Sequence, residues 1–180
     1  MNGCARRFVL GFWALACAWL ASSCATVVER PMTVTAYCGC GECCNWKRQG
    51  GFFLSPEFYD KTIAQGPCKG RPYSGLTASG TKPREYNPGL VSCDSLLRPW
   101  MIPVRILLFP WLLLPHAGTA AADTGCYPFG TRMYVDGYGW CVVVDRGTAI
   151  RGPDRLDVFY CSHQKALEWG RQRIVVEIVQ

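Results

Sequence analysis

The chain has 180 residues, of which 49% are apolar, so there is room for one domain of ordinary size with a real core. A net charge of +6 is compatible with an anionic polymer or a membrane surface, but no Lys/Arg run reads as a nucleic-acid patch, and no nucleic-acid partner is expected. Twelve cysteines is heavy use for this length.

In chain order, Arg6 and Arg7 precede an uncharged apolar run from Phe8 to Leu20, and small residues follow at Ala21-Ser22-Ser23-Cys24-Ala25. Positive, apolar and small segments in that order predict a secretory signal over residues 1–25, and the run is short for a spanning helix. Its end reads two ways. Ala21-Ser22-Ser23-Cys24 resembles a lipobox, which would anchor the chain to a membrane through a lipidated Cys24, and cleavage after Ala25 competes with it. Either way the chain is expected in the periplasm or cell envelope, with an outer-membrane lipoprotein as one form.

Three cysteines lie in the leader and nine beyond it. Export makes disulfides the expected state of Cys38, Cys40, Cys43 and Cys44, with Cys68 as a further partner. Zinc is the competing reading. Against it stand the crowded spacing of these cysteines and the sequence distance of the only histidines, His116 and His163, so no metal or cofactor is expected.

Residues 26–32 read as a short polar lead-in, and Thr33–Tyr37 alternates like a strand. Residues 45–75 lack a period and read as an insertion loop, and 76–81 as a small-residue turn that permits close backbone approach. Residues 84–119 form a second, hydrophobic insertion. Its Trp100–Pro115 stretch carries Arg105 and three prolines, is too short for an upright span, and matches no element period. Strands are expected at 131–135, 140–145, 156–160 and 173–179, with a helix capped by Ser162 and closed by Gly170. Short strands, tight turns and one small helix suggest a mainly β, small barrel.

Asp145 ends one apolar strand, Asp157 lies inside another, and a glycine-bearing return joins them; Asp123 sits among small residues before a strand. A carboxyl group flanked by Leu156 and Val158 loses water, and a nearby carboxylate penalises its charge further, so it stays protonated as a general acid requires. The competing reading is that these aspartates cap turns or pair with Arg132, Arg146 or Arg155.

Several segments together resemble the three-aspartate (3D) domain, a double-psi β-barrel shared with MltA-type lytic transglycosylases. They are Thr35-Ala36-Tyr37-Cys38, Thr77–Thr81, Ala122-Asp123, Tyr127–Thr131, Gly137-Tyr138-Gly139, Val144–Gly152 running into Leu156-Asp157-Val158, and Ser162–Gly170. The resemblance implies a six-stranded double-psi barrel over residues 33–180 with insertions near 45–75 and 84–119. It implies that Asp157 acts as catalytic acid and then base, with Asp145 its supporting carboxylate and Asp123 the first of the trio. Thr77, Ser79, Gly80 and Thr148 would line the substrate. The implied partner is the glycan strand of peptidoglycan, cut at the MurNAc–GlcNAc bond with formation of a 1,6-anhydro ring. Two features depart from the family pattern: the proline-and-leucine insertion, and an Asp145–Asp157 return about one residue longer than expected. Other readings are a non-catalytic wall-binding barrel of the expansin type and a cysteine-rich structural envelope protein.

Overall fold

The structure is a computed structural model that describes residues 26–48, 50, 60–66, 68–89, 97–108 and 113–179. The expected leader and Cys24 lie outside the described residues. The elements are β1 (Val27–Tyr37), α1 (Gly41–Cys44), β2 (Trp46–Arg48), β3 (Lys61–Ile63), α2 (Met101–Leu108), β4 (Gly118–Ala122), β5 (Arg132–Val135), β6 (Gly139–Asp145), β7 (Arg155–Phe159), α3 (His163–Trp169) and β8 (Gln172–Val179).

Six strands close a barrel in the order β1–β7–β4–β6–β5–β8, the double-psi architecture expected from the resemblance. Strands β1 and β7 run parallel, as do β4 and β6, and the remaining neighbours are antiparallel. Strand β1 serves two partners. Its first part, Val27–Val34, pairs with β8, and Thr33–Tyr37 pairs with β7. Residues 26–32 are therefore mostly strand rather than a polar lead-in, because β8 supplies the ladder that this stretch cannot signal alone.

Side chains alternate across a strand, and each barrel strand turns one i, i+2 pair inward. The pairs are Met32/Val34, Ala120/Ala122, Met133/Val135, Cys141/Val143, Leu156/Val158 and Val176/Ile178, all essentially without solvent contact. Each large member contributes about 1.5–3 kcal/mol through burial. The small pair on β4 leaves room for Met32, Met133 and Leu156.

Strand β4 has no counterpart in the expected elements, and its sequence explains the omission. Gly118-Thr119-Ala120-Ala121-Ala122 has no aromatic and one β-branched residue, yet every position is buried. Packing selects smallness here rather than β propensity. A Cβ on Gly118 would collide with the Tyr138 ring, whose hydroxyl donates to the Phe159 carbonyl at 2.7 Å.

The two insertions carry local structure. Strands β2 and β3 pair with each other, and Trp46 stacks on Tyr73 with centroids 5.8 Å apart. Residues 101–108 form a helix although the prolines argued against one; Pro103 falls in the first turn, where its missing N–H costs nothing. The second insertion closes at a neck: Thr119 N–H donates to Arg84 O, and Asn87 and His116 exchange backbone hydrogen bonds at 3.1 and 2.9 Å. Among the described residues no helix is long and apolar enough to cross a membrane. Ser162 and Gly170 bound α3 at the expected positions, Gly170 with φ 63°, but the Ser162 side chain makes no capping hydrogen bond.

Candidate active site

Asp157 sits between two outward-facing neighbours, Thr35 on β1 and Ala121 on β4, while Leu156 and Val158 beside it fill the barrel. The Thr35 hydroxyl donates to Asp157 Oδ1 at 2.9 Å. Burial pushes the carboxyl up to about 6; the Thr35 hydrogen bond opposes this, and the charge of Asp145 adds to it. Asp157 lines a cavity of about 340 Å³ with Thr33, Thr35, Ile150, Arg155 and Arg171. A carboxyl group that holds its proton to near neutrality and faces an open cleft can act as a proton donor.

Asp145 reaches the same face through an irregularity in β6. Ala120 pairs with Val143, but the next residue, Ala121, pairs with Asp145, leaving Val144 as an extra residue in a bulge. Without that bulge Asp145 would share the inward parity of Cys141 and Val143. With it, Ala121 has Asp145 as register partner on one side and Asp157 on the other. Their backbones are thus two strand spacings apart, roughly 9–10 Å, with only a methyl group between them. Three donors hold the Asp145 side chain: the Tyr37 hydroxyl to Oδ2, and the Ala78 and Arg146 N–H groups to Oδ1, each at 2.9 Å.

Asp123 has a different environment. Its Oδ2 accepts from Gly152 N–H at 2.7 Å and its Oδ1 from Gly125 N–H at 3.0 Å. These backbone bonds, with Arg151 nearby, hold its carboxyl below the usual carboxylate range. Asp123 clasps the 146–154 return to the turn after β4. It lines a second cavity of about 400 Å³ with Arg146, Thr148, Ile150 and Arg151. Ile150 borders both cavities, so the return lies between an Asp157 side and an Asp123 side, each with arginines in its lining. Arg155 Nη1 ties the return down by donating to Ala149 O at 2.9 Å.

The expected substrate-lining residues separate into two kinds. Thr148 faces the Asp123 side of the cleft. Thr77 is buried, and its hydroxyl bonds to Ser79, Thr81 and the Thr81 carbonyl. Ser79 N–H donates to the Val144 carbonyl, which docks the turn against the bulge, and Gly80 takes φ 83° at its exposed tip. The turn positions Asp145 through the Ala78 N–H. Thr35 and Tyr37 were not among the expected site residues, although both lie in the Thr35-Ala36-Tyr37-Cys38 motif.

The cysteine cluster differs from expectation. The eight described cysteines are all free, so no disulfide forms among the described residues. His163, far from the cysteines in sequence, points Nδ1 at the sulfurs of Cys38, Cys40 and Cys43 at 3.5, 3.4 and 3.6 Å. Sequence distance was a poor guide because β1 and α3 are adjacent: Tyr160 N–H donates to the Tyr37 carbonyl at 2.9 Å.

One face of the closed six-stranded barrel thus carries a shielded carboxyl and a second, firmly held carboxylate. Residues 118–180 match the family model of the 3D domain, the family that the motifs within that stretch resemble. The match contains Asp123, Asp145 and Asp157; β1 and the cysteine cluster lie outside it. Two Bacillus subtilis (strain 168) proteins are similar over 65 residues: "Putative cell wall shaping protein YabE" at 34% identity and "Cell wall-binding protein YocH" at 37%. Those residues are 36% of this chain, and the similarity spans 16% and 22% of the two relatives. A solved structure, MltA from E. coli, aligns at 21% identity over 38% of this chain and 25% of that one, with a TM-score of 0.30.

Proposed function

We propose that this protein is an exported lytic transglycosylase that cuts the glycan strands of the bacterial cell wall. The observation that carries the reading is Asp157: a carboxyl held protonated to about pH 6, hydrogen-bonded to Thr35, and open to a cleft flanked by Arg155 and Arg171. The leader-like residues 1–25 and the cell-wall names of the two relatives support the setting.

In the proposed reaction Asp157 gives its proton to the glycosidic oxygen as the C1–O bond of the muramyl unit breaks. The Asp157 carboxylate then takes the proton of the muramyl C6 hydroxyl, whose oxygen bonds to C1. Asp157 ends protonated as it began, and no water is consumed. Asp145 favours the neutral form of Asp157 through its charge, and Tyr37 and Ala78 hold Asp145 in place. The arginines around both cavities suit a substrate bearing carboxylates. Asp123 shapes the cleft through Gly152.

A non-catalytic wall-binding reading is favoured by one observation, the name of the second relative. Incubating the protein with purified peptidoglycan and analysing the soluble products by mass spectrometry separates the two. Anhydro-muropeptides support the lyase. Sedimentation with the wall and no soluble product would leave the binding reading in its place.

A further inference from the structure

We propose that Cys38, Cys40, Cys43 and His163 form a structural zinc site. The four ligand atoms lie within 4.8 Å of one another. Zinc held by thiolates at about 2.3 Å and imidazole at about 2.0–2.1 Å in a tetrahedron requires S–N edges of about 3.5 Å and S–S edges of about 3.8 Å. The three S–N separations are 3.4, 3.5 and 3.6 Å, and Cys38 Sγ to Cys43 Sγ is 3.7 Å. A disulfide instead needs its sulfurs about 2.0 Å apart.

A second observation is independent of the sulfurs. His163 Nε2 lies 3.2 Å from Glu42 Oε2. A carboxylate that accepts a hydrogen bond from Nε2–H leaves the Nδ1 lone pair facing the three thiols, the arrangement that orients and strengthens a metal-bound histidine. Glu42 belongs to the same short segment as the cysteines, so Cys38–Cys43 supplies three ligands and the group that orients the fourth. Cys43 N–H also donates to Cys40 Sγ at 3.4 Å, which fixes the direction of that sulfur. Pairing two of the cysteines would account for neither the imidazole nor the glutamate.

Three soft thiolates and one imidazole suit zinc among the common divalent ions, and four protein ligands leave no position for water or substrate. The site is structural. It ties the chain just after β1 to the first residue of α3, and its first ligand is next in sequence to Tyr37. The proposal does not rest on the catalytic reading, and its test reads metal rather than activity.

The experiment is elemental analysis of the purified full chain, with cobalt substitution of the same protein. One equivalent of zinc, and thiolate-to-cobalt absorption with the strong visible bands of a tetrahedral ion, are expected. Cys40→Ser and His163→Ala should lose the metal, and Cys44→Ser should keep it. Glu42→Gln should weaken zinc binding about 10–100-fold in competition with a chromophoric chelator; it removes no ligand, so it decides the matter if the ligand variants fail to fold. Metal-free protein whose intact mass shows paired cysteines would overturn the proposal. So would full metal content in both Cys40→Ser and His163→Ala.

Discussion

Tyr37 and Asp145 are 108 residues apart in the chain and 2.9 Å apart in space, phenol oxygen to Oδ2. The Tyr37 ring packs edge-on against Phe159 with centroids 5.4 Å apart. Burial, and next to it the Asp145 charge, hold the phenol far above its ordinary value, so it remains a donor. Tyr37→Phe keeps the ring and removes one of three donors to Asp145. It should cost about 1 kcal/mol of stability and slow product formation several-fold, as read by melting curves and muropeptide release on one preparation. An unchanged rate would show that Ala78 and Arg146 suffice to hold Asp145.

Asp157→Asn should abolish anhydro-product while the protein stays folded, because the amide can still accept from Thr35 but has no proton to give. Its stability should move in the opposite direction. The folded carboxyl sits at about 6 against an ordinary 3.8, so the folded state binds the proton more tightly than the unfolded state does. That contribution is fully present below about pH 4 and is lost as pH rises through 6. At pH 7.5 the wild type therefore carries a penalty on the order of 1–3 kcal/mol that the asparagine variant escapes. Denaturant melts at pH 4 and 7.5 check the sign; a variant less stable than wild type at pH 7.5 would mean that Asp157 has a stabilising partner.

Asp145→Asn retains an oxygen for the Ala78 and Arg146 N–H groups and presents its NH₂ to the Tyr37 oxygen, which can turn from donor to acceptor. The turn at 77–81 should stay docked. Only the charge goes, so the alkaline limb of the activity profile, set by Asp157, should shift to lower pH. An unshifted limb with reduced rate would point to misplacement instead.

Asp123→Ala removes the bond that fastens the return at Gly152, together with the local bond to Gly125, and touches neither Thr35 nor Asp157. Its expected effect is weaker glycan binding with the chemical step largely preserved, seen as a rise in KM that exceeds the fall in kcat. Equal loss in kcat and kcat/KM would give Asp123 a direct part in the reaction.

Replacing residues 88–115 by a short turn should leave a soluble protein with a cooperative melt. The Arg84–Thr119 and Asn87–His116 pairings survive that cut, and Tyr86 stays against Gly139, where its ring occupies the space a Cβ would take. Loss of cooperative melting would place the removed segment in the core.

Strands β5 to β8 were legible because Met133, Val135, Val143, Val158 and Val176 recur at the strand period between turns with glycine. Asp145 and Asp157 stood out as carboxylates within such runs. What escaped reading depends on contacts distant in sequence. Gly118–Ala122 becomes a strand because Tyr138 and the barrel leave space only for small residues. The bulge at Val144 is visible only against β4, and it changes the face on which Asp145 lies. His163 joins the cysteines because β1 and α3 meet, which no local pattern records.

The pairing of Val27 with Val179 has a kinetic consequence. Strand β1 must find β8 in one direction and β7 in the other before the ring shuts, and contacts this far apart in sequence make folding slow. Until β8 is in place, β1 and β5 each present an unpaired edge, the kind of surface that joins to other chains. A chain cut before Gln172 should therefore aggregate rather than form a smaller barrel. Resistance to protease should appear in one late step, after the last strand has been added.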